Sequence, residues 1–173
     1  MDQRPVRLER QPAGGPTFLF ADLAGYTALT EQRGDEAAAE LAREFRRTMC
    51  RLSRDHGARQ VKSMGDGVMI WAPDAGAAVS LAVDTLQQVG TRPDLLPVRV
   101  GVHTGPAVRR GADWYGSAVN VAARLADQAH PNEALVSEAT WATARCEFTR
   151  PVDSRRELDL RGLDRRVAAW RLA

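Results

Sequence analysis

Lysine is nearly absent from this chain. Lys62 is the only one among 24 Lys+Arg, and every other side-chain cation of that kind is an arginine. Cysteine is scarce as well. Cys50 and Cys146 are too few for a disulfide framework, and both read as reduced packing residues. No apolar run approaches the roughly 20 residues that a bilayer span needs. The first ten residues, MDQRPVRLER, hold no signal-peptide core. These absences point to a cytoplasmic protein with no membrane partner. Nucleic acid is not an expected partner either. Arg43, Arg46, Arg47, Arg51 and Arg54 recur at helical spacing, as on a solvated face, with no aromatic among them but Phe45. What is present is ordinary: 173 residues, 44% hydrophobic, with a formal charge of +2, enough for one domain with a real core.

Along the chain, residues 1–16 carry Pro5, Pro12, Gly14, Gly15 and Pro16 and read as a loose arm ahead of one domain over 17–173. TFLFA (17–21) is a short buried strand that ends at Asp22. From Asp35 to His56 apolar residues recur every three or four positions and Gly57 follows, which predicts a helix with a glycine stop. ARQVKSM and VMIWA flank Gly65-Asp66-Gly67 as a hairpin. Pro73 to Val89 is a second helix, VRVGVH (98–103) a strand, and Ser117 to Ala129 a third helix. ALVS, a short helix near 138–144, CEF, and strands near 157–160 and 167–172 complete the pattern. The order β-α-β-β-α-β predicts an α+β fold, a ferredoxin-like sheet with helices on one face and additional C-terminal strands.

Three pairs of residues carry chemistry. Asp22 closes a strand and Asp66 sits between two glycines. If their strands are neighbours, both carboxylates project at one end and suit Mg²⁺ or Mn²⁺ on a nucleoside triphosphate. The plainer reading is a helix cap and a tight turn. Asn120 and Arg124 lie four apart on one helix face, where an Asn could orient a ribose and an Arg reach phosphorus. A solvent-facing pair is the alternative. Lys62 and Asp113 offer a donor and an acceptor, complementary to the N1 acceptor and exocyclic amine of adenine. Guanine inverts both groups, and a mispaired buried polar group costs about 1–3 kcal/mol. An ammonium also differs from a forked guanidinium, which gives a reason for the one lysine. His103, alone in its strand, reads as structural.

FADLAGYTALT, VKSMGDGVMIW, VRVGVHTG and DWYGSAVNVAARL together resemble the class III nucleotidyl cyclases. Within that family the chain is most similar to the small mycobacterial or actinobacterial adenylyl cyclases, from about Thr17 to the C-terminus. The resemblance implies that Asp22 and Asp66 ligate two divalent cations, Mg²⁺ or Mn²⁺, with the Leu23 carbonyl assisting. It implies that the backbone from Leu23 through Tyr26 to Thr27 cradles the terminal phosphates. Lys62 and Asp113 fall on its purine-selecting positions and Asn120 and Arg124 on its transition-state positions. Arg99 and Arg161 match basic positions that contact phosphates, Arg161 through a short LRG pattern only. The family further implies a head-to-tail homodimer with two composite sites, in which the metal residues of one protomer meet the purine-selecting residues of the other. The connection AVRRGA is shorter than the arm many members carry, so a weaker dimer is expected.

The implied reaction is ATP to 3′,5′-cyclic AMP and pyrophosphate, by attack of the ribose 3′-hydroxyl on the α-phosphorus. Three alternatives differ in a readable way. A guanylyl cyclase would prefer GTP, a silent nucleotide-binding or dimerisation domain would form no product, and a two-metal phosphohydrolase would give linear nucleotides.

Overall fold

The computed structural model describes residues 14–144, 154–163 and 165–172. Most of the arm expected over 1–16, together with Cys146 and the strand expected at CEF, lies outside the described residues. Fourteen elements follow in order: β1 Thr17–Leu23, α1 Tyr26–Arg33, α2 Asp35–Asp55, β2 Arg59–Met64, β3 Gly67–Ala72, α3 Ala75–Gln88, β4 Val98–Thr104, β5 Val108–Arg110, β6 Asp113–Tyr115, α4 Ser117–Gln128, β7 Glu133–Ser137, α5 Glu138–Ala144, β8 Ser154–Leu158 and β9 Val167–Leu172. Seven strands form one sheet in the order β2-β3-β1-β4-β7-β9-β8, and β5 and β6 pair separately. The first four strands give the antiparallel order 2-3-1-4 of a ferredoxin-like core. β7 then adds parallel to β4, and β9 and β8 extend the sheet antiparallel.

β1 is the centre of this sheet, and its alternation divides the core. Leu19, Ala21 and Leu23 pack with Phe45, Met49 and Leu52 of α2 and with α3. Phe18 and Phe20 turn the other way, onto Ala118, Ala122 and Ala126 of α4. Both faces are dry, and each large side chain so buried contributes roughly 1.5–3 kcal/mol. Helices therefore cover both faces of the sheet, α2 and α3 on one and α4 on the other. The single helical face expected from the first six elements does not describe the whole domain.

The long helices follow their sequence signals. Asp74 caps α3 by accepting from the Ala77 amide at 2.7 Å, and α2 runs to Asp55 with Gly57 at φ 64° just beyond it. The penultimate strand forms earlier than its apolar residues suggest, at Ser154–Leu158. Small residues set the approach of α4. A Cβ built on Gly101 of β4 would lie 2.2 Å from the Ala126 amide nitrogen and 2.3 Å from the Ala122 carbonyl oxygen. Backbone cannot yield there as a flexible side chain would. Gly101→Ala is expected to destabilise the domain by about 3 kcal/mol, at the upper end for overpacking, in a denaturant titration. Unchanged stability would show that α4 can ride higher on the sheet.

Candidate active site

The site begins where β1 runs out. Asp22 is in register with Gly67 of β3 on one side and Arg99 of β4 on the other. That register brings Asp66, one residue before Gly67, to the same edge. Asp22 and Asp66 line a cleft of about 200 Å³ with Phe20, Met64, Ala123 and Asp127. Gly67 makes the approach possible, since a Cβ on it would touch the Ala21 carbonyl at 3.3 Å and the Asp22 Cβ at 3.4 Å. Arg46 donates to the Gly65 carbonyl at 3.1 Å and ties the turn to α2.

Arg99 holds Asp22 in a two-point grip. Its Nε donates to Oδ1 and its Nη2 to Oδ2, both at 2.9 Å. Burial nevertheless outweighs this counter-charge and raises the Asp22 pKa above the ordinary 3.8, with Asp66 and Asp127 adding repulsion. Asp127, at the end of α4, was not singled out by any motif in the sequence. The seating of α4 on β4 brings it to the cleft.

A second group of residues lies on the same side of the sheet. Lys62 Nζ donates to Asp113 Oδ2 at 2.8 Å and to Oδ1 at 3.1 Å. These bonds hold the Asp113 pKa below its ordinary value, and the Trp114 amide adds to the effect. Lys62 reaches this side because β2 carries a bulge. The register steps from Gln60↔Ile70 to Lys62↔Met69, so Val61 is an extra residue. Unbulged pairing would put Lys62 opposite Val68, on the α2 and α3 face. The bulge places it instead beside Met69, on the face covered by α4.

Asn120 is exposed on α4, and Arg124, one turn later, is half-buried. Neither lines the Asp22–Asp66 cleft; α4 contributes Ala123, Ala126 and Asp127 there. Arg124 packs instead on the turn between β8 and β9. A Cβ on Gly162, which has φ +73°, would lie 3.3 Å from Arg124 Nη2. The Nη1 of Arg124 is buried without an acceptor. The exposed Arg161 belongs to this turn, one residue before Gly162. Lys62 and Asp66 thus leave one hairpin for different neighbours.

Tyr26 and Thr27 open α1, an eight-residue helix that follows Asp22 and Leu23 through Gly25 at φ 86°. Their amides belong to the first turn, which lacks intrahelical acceptors. His103 lies at the far end of β4 from Arg99 and is in hydrogen-bond contact through Nδ1 with Ser137 Oγ at 2.7 Å. Burial, with the Arg165 charge, lowers its pKa to about 4. It is a neutral structural residue at physiological pH.

Residues 8–172 match the model of the adenylate and guanylate cyclase catalytic domain. The chain belongs to this family. An adenylate cyclase of Streptomyces coelicolor is 39% identical over 126 residues, covering 71% of this chain and 32% of the relative. A pH-sensitive adenylate cyclase of Mycobacterium tuberculosis is 34% identical over 149 residues, 80% of this chain and 36% of the relative. This cyclase domain therefore spans about a third of the length of the curated relatives it matches. Among solved structures, an adenylate/guanylate cyclase/hydrolase of Silicibacter pomeroyi superposes with a TM-score of 0.81 at 26% identity, over 90% of this chain and 94% of the other.

Members of the family are divalent-metal dependent, and the donor set of this cyclase domain fits such an ion. Among the described residues no group of three or more His, Cys, Asp or Glu side chains could hold a metal. Two carboxylates at an open cleft suit a hard cation whose remaining ligands are water and phosphate oxygens. Among the described residues, too, no helix is long and apolar enough to cross a membrane.

The raised pKa has a sign that can be checked. Ionised Asp22 opposes folding: the penalty is absent below 3.8, grows as pH rises through the folded-state pKa, and is complete above it. Arg99→Met keeps apolar cover but removes the counter-charge, so the Asp22 carboxyl should titrate higher still in carbon-detected NMR. A titration at or below 3.8 in both proteins would contradict the burial of this group.

Proposed function

We propose that the domain is the catalytic unit of an adenylyl cyclase, forming 3′,5′-cyclic AMP and pyrophosphate from ATP. The observation that carries the choice of ATP is the Lys62–Asp113 pair, a donor and an acceptor side by side at 2.8 Å. Adenine can take up both groups by exchanging protein–protein for protein–base hydrogen bonds. Guanine would leave a carbonyl facing Asp113 and an N–H facing Lys62, each mismatch costing about 1–3 kcal/mol. The curated relatives named adenylate cyclase agree with this direction.

The active assembly in this reading is a head-to-tail homodimer. One chain holds both half-sites, but Asn120 and Arg124 do not line its own Asp22–Asp66 cleft. An isologous pair sets the two half-sites of each protomer against those of the other, and two equivalent composite sites result.

In each site Asp22 and Asp66, with the Leu23 carbonyl, would hold two divalent cations. When bound there, such ions lower the pKa of an attacking hydroxyl and neutralise the triphosphate. Arg99 is then released from Asp22 and serves the phosphates, as its position in the VRVGVH strand suggests. The backbone from Leu23 to Thr27 receives the terminal phosphates at the start of α1, through amides other than that of Ala24, which donates to the Pro97 carbonyl at 2.7 Å. Asn120 orients the ribose so that its 3′-oxygen lies in line with the α-phosphorus. That oxygen forms the new bond to phosphorus while the bond to pyrophosphate breaks, and the proton passes to solvent. Arg124 stabilises charge on the α-phosphoryl oxygens, and Arg161 assists from the adjoining turn. The buried, unpartnered Nη1 of Arg124 is a donor already stripped of water, which strengthens whatever acceptor it meets.

Product analysis tests the assignment. Purified protein with Mg²⁺ or Mn²⁺ should form cyclic AMP from ATP and little cyclic GMP from GTP. Arg124→Ala should lower kcat by about 10²–10³ with a smaller change in KM. Cyclic GMP as the main product would overturn the base assignment, linear nucleotide would indicate hydrolysis, and no product with either ion would leave a nucleotide-binding domain.

A further inference from the structure

Asp113 lies on a weak support. β5 and β6 are three residues each and form a two-stranded sheet apart from the main one. A lone hairpin of that size has little stability of its own in water. Val108, Arg109 and Arg110 are exposed, as is Tyr115. Trp114 is the residue of these two strands that joins the core, packing with Phe18 and Phe20 under α4.

Its contacts are specific. The Trp114 ring stacks on Trp71 with centroids 6.3 Å apart and planes at 6°. Phe18 meets it edge-on at 5.5 Å and 67°. The Arg59 guanidinium lies 5.8 Å from the Trp71 ring centre and caps that end of the cluster. Trp71 belongs to β3, and its cross-strand partner Arg59 stands on β2, the strand that carries Lys62. One end of the stack is therefore bonded to Asp113 through the chain, and the other is paired to the strand of Lys62. The Trp114 amide also donates to Asp113 Oδ1 at 2.8 Å, which fixes the carboxylate as the ring fixes the backbone.

We propose that Trp114, by stacking on Trp71, is a positioning residue for purine selection, holding Asp113 at the separation from Lys62 that an adenine edge requires. This rests on the reading of Lys62 and Asp113 as the purine-selecting pair. The indole nitrogens of Trp71 and Trp114 are both buried without an acceptor. The ring faces and edges, not polar contacts, thus hold the cluster. Two consequences separate this from ordinary core packing. A phenylalanine at 114 keeps a stacked face and drops an unpaired N–H, so it should preserve selection. An alanine leaves the hairpin tethered only by its backbone, so Asp113 drifts and the preference for adenine relaxes while Asn120 and Arg124, which act on the reacting groups, stay in place.

The test compares kcat/KM for ATP and GTP in the wild type, Trp114→Ala, Trp114→Phe and Asp113→Ala, with near-ultraviolet circular dichroism to read the tryptophan stack. ATP and GTP binding, measured by calorimetry with 3′-deoxy analogues and Mn²⁺, reports the same ratio independently of turnover. Trp114→Ala should lose the stack signal and lower the ATP:GTP ratio by about tenfold, mainly through KM for ATP. Trp114→Phe should keep the ratio close to wild type. Trp114→Leu, with apolar bulk but no stacking ring, replaces the alanine variant if that does not fold. A lowered ratio in Asp113→Ala with an unchanged one in Trp114→Ala overturns the positioning role alone. Trp114→Phe as unselective as Trp114→Ala overturns it too. An unchanged ratio in Asp113→Ala removes the purine-selecting pair itself, and the role of Trp114 with it.

Discussion

The contact on which the site depends is the backbone of α4 lying against Gly101 of β4. With no Cβ between them, the helix is fixed in height and register over the central strands. Its two ends then adjoin the Lys62–Asp113 pair and the Asp22–Asp66 cleft. The N-terminal end follows β6 and Asp113 through Gly116, and the C-terminal end brings Asp127 to the Asp22–Asp66 cleft. Between them Asn120 and Arg124 turn away from that cleft. A helix displaced by a methyl group would move every one of these groups together, because packed backbone has nowhere to relax.

The chain meets its own site charges with its own cations. Arg99 grips Asp22, and Lys62 grips Asp113. Burial raises the Asp22 pKa, and Arg99 partly offsets that rise, while Lys62 holds the Asp113 pKa below its ordinary value. A ligand entering the site exchanges partners and does not expose bare charge. Arginine fits the forked grip at Asp22, and the compact ammonium of Lys62 is the point donor that the proposed adenine contact calls for. The solitary lysine of the sequence is thus the cation whose geometry an arginine would change.

Much of this was legible in advance where one physical signal dominated. The strand at 17–23, the hairpin about Gly65-Asp66, and α2, α3 and α4 announced themselves by apolar period and by glycine or aspartate at their ends. The convergence of Asp22 with Asp66 follows from strand adjacency, whereas the direct bond between Lys62 and Asp113 does not follow from the sequence, where both read as contacts to an adenine edge. Other features carried no such signal. In α1 only Leu29 is buried, so YTALTEQR has no apolar stripe to read. β5 and β6 are too short to show alternation, and Val61 looks like any strand residue although it is the bulge that turns Lys62 to the right face. Gly101 reads as a flaw in a strand until a helix is found on it. Arg99 was anticipated as a phosphate contact, but its grip on Asp22 depends on a register no local pattern specifies. The second helical layer was missed for the same reason: α4 covers the face that the first six elements leave open.

In the proposed assembly two half-sites, carried by one chain, complete each other across a dimer. The most direct measurement mixes Asp22→Ala and Arg124→Ala protomers, each inactive alone, and follows cyclic AMP formation from ATP. Random pairing makes half the dimers mixed, each with one intact site, so about a quarter of wild-type activity is expected. No activity at any mixing ratio, with mixed dimers demonstrably formed, would contradict sites shared between protomers.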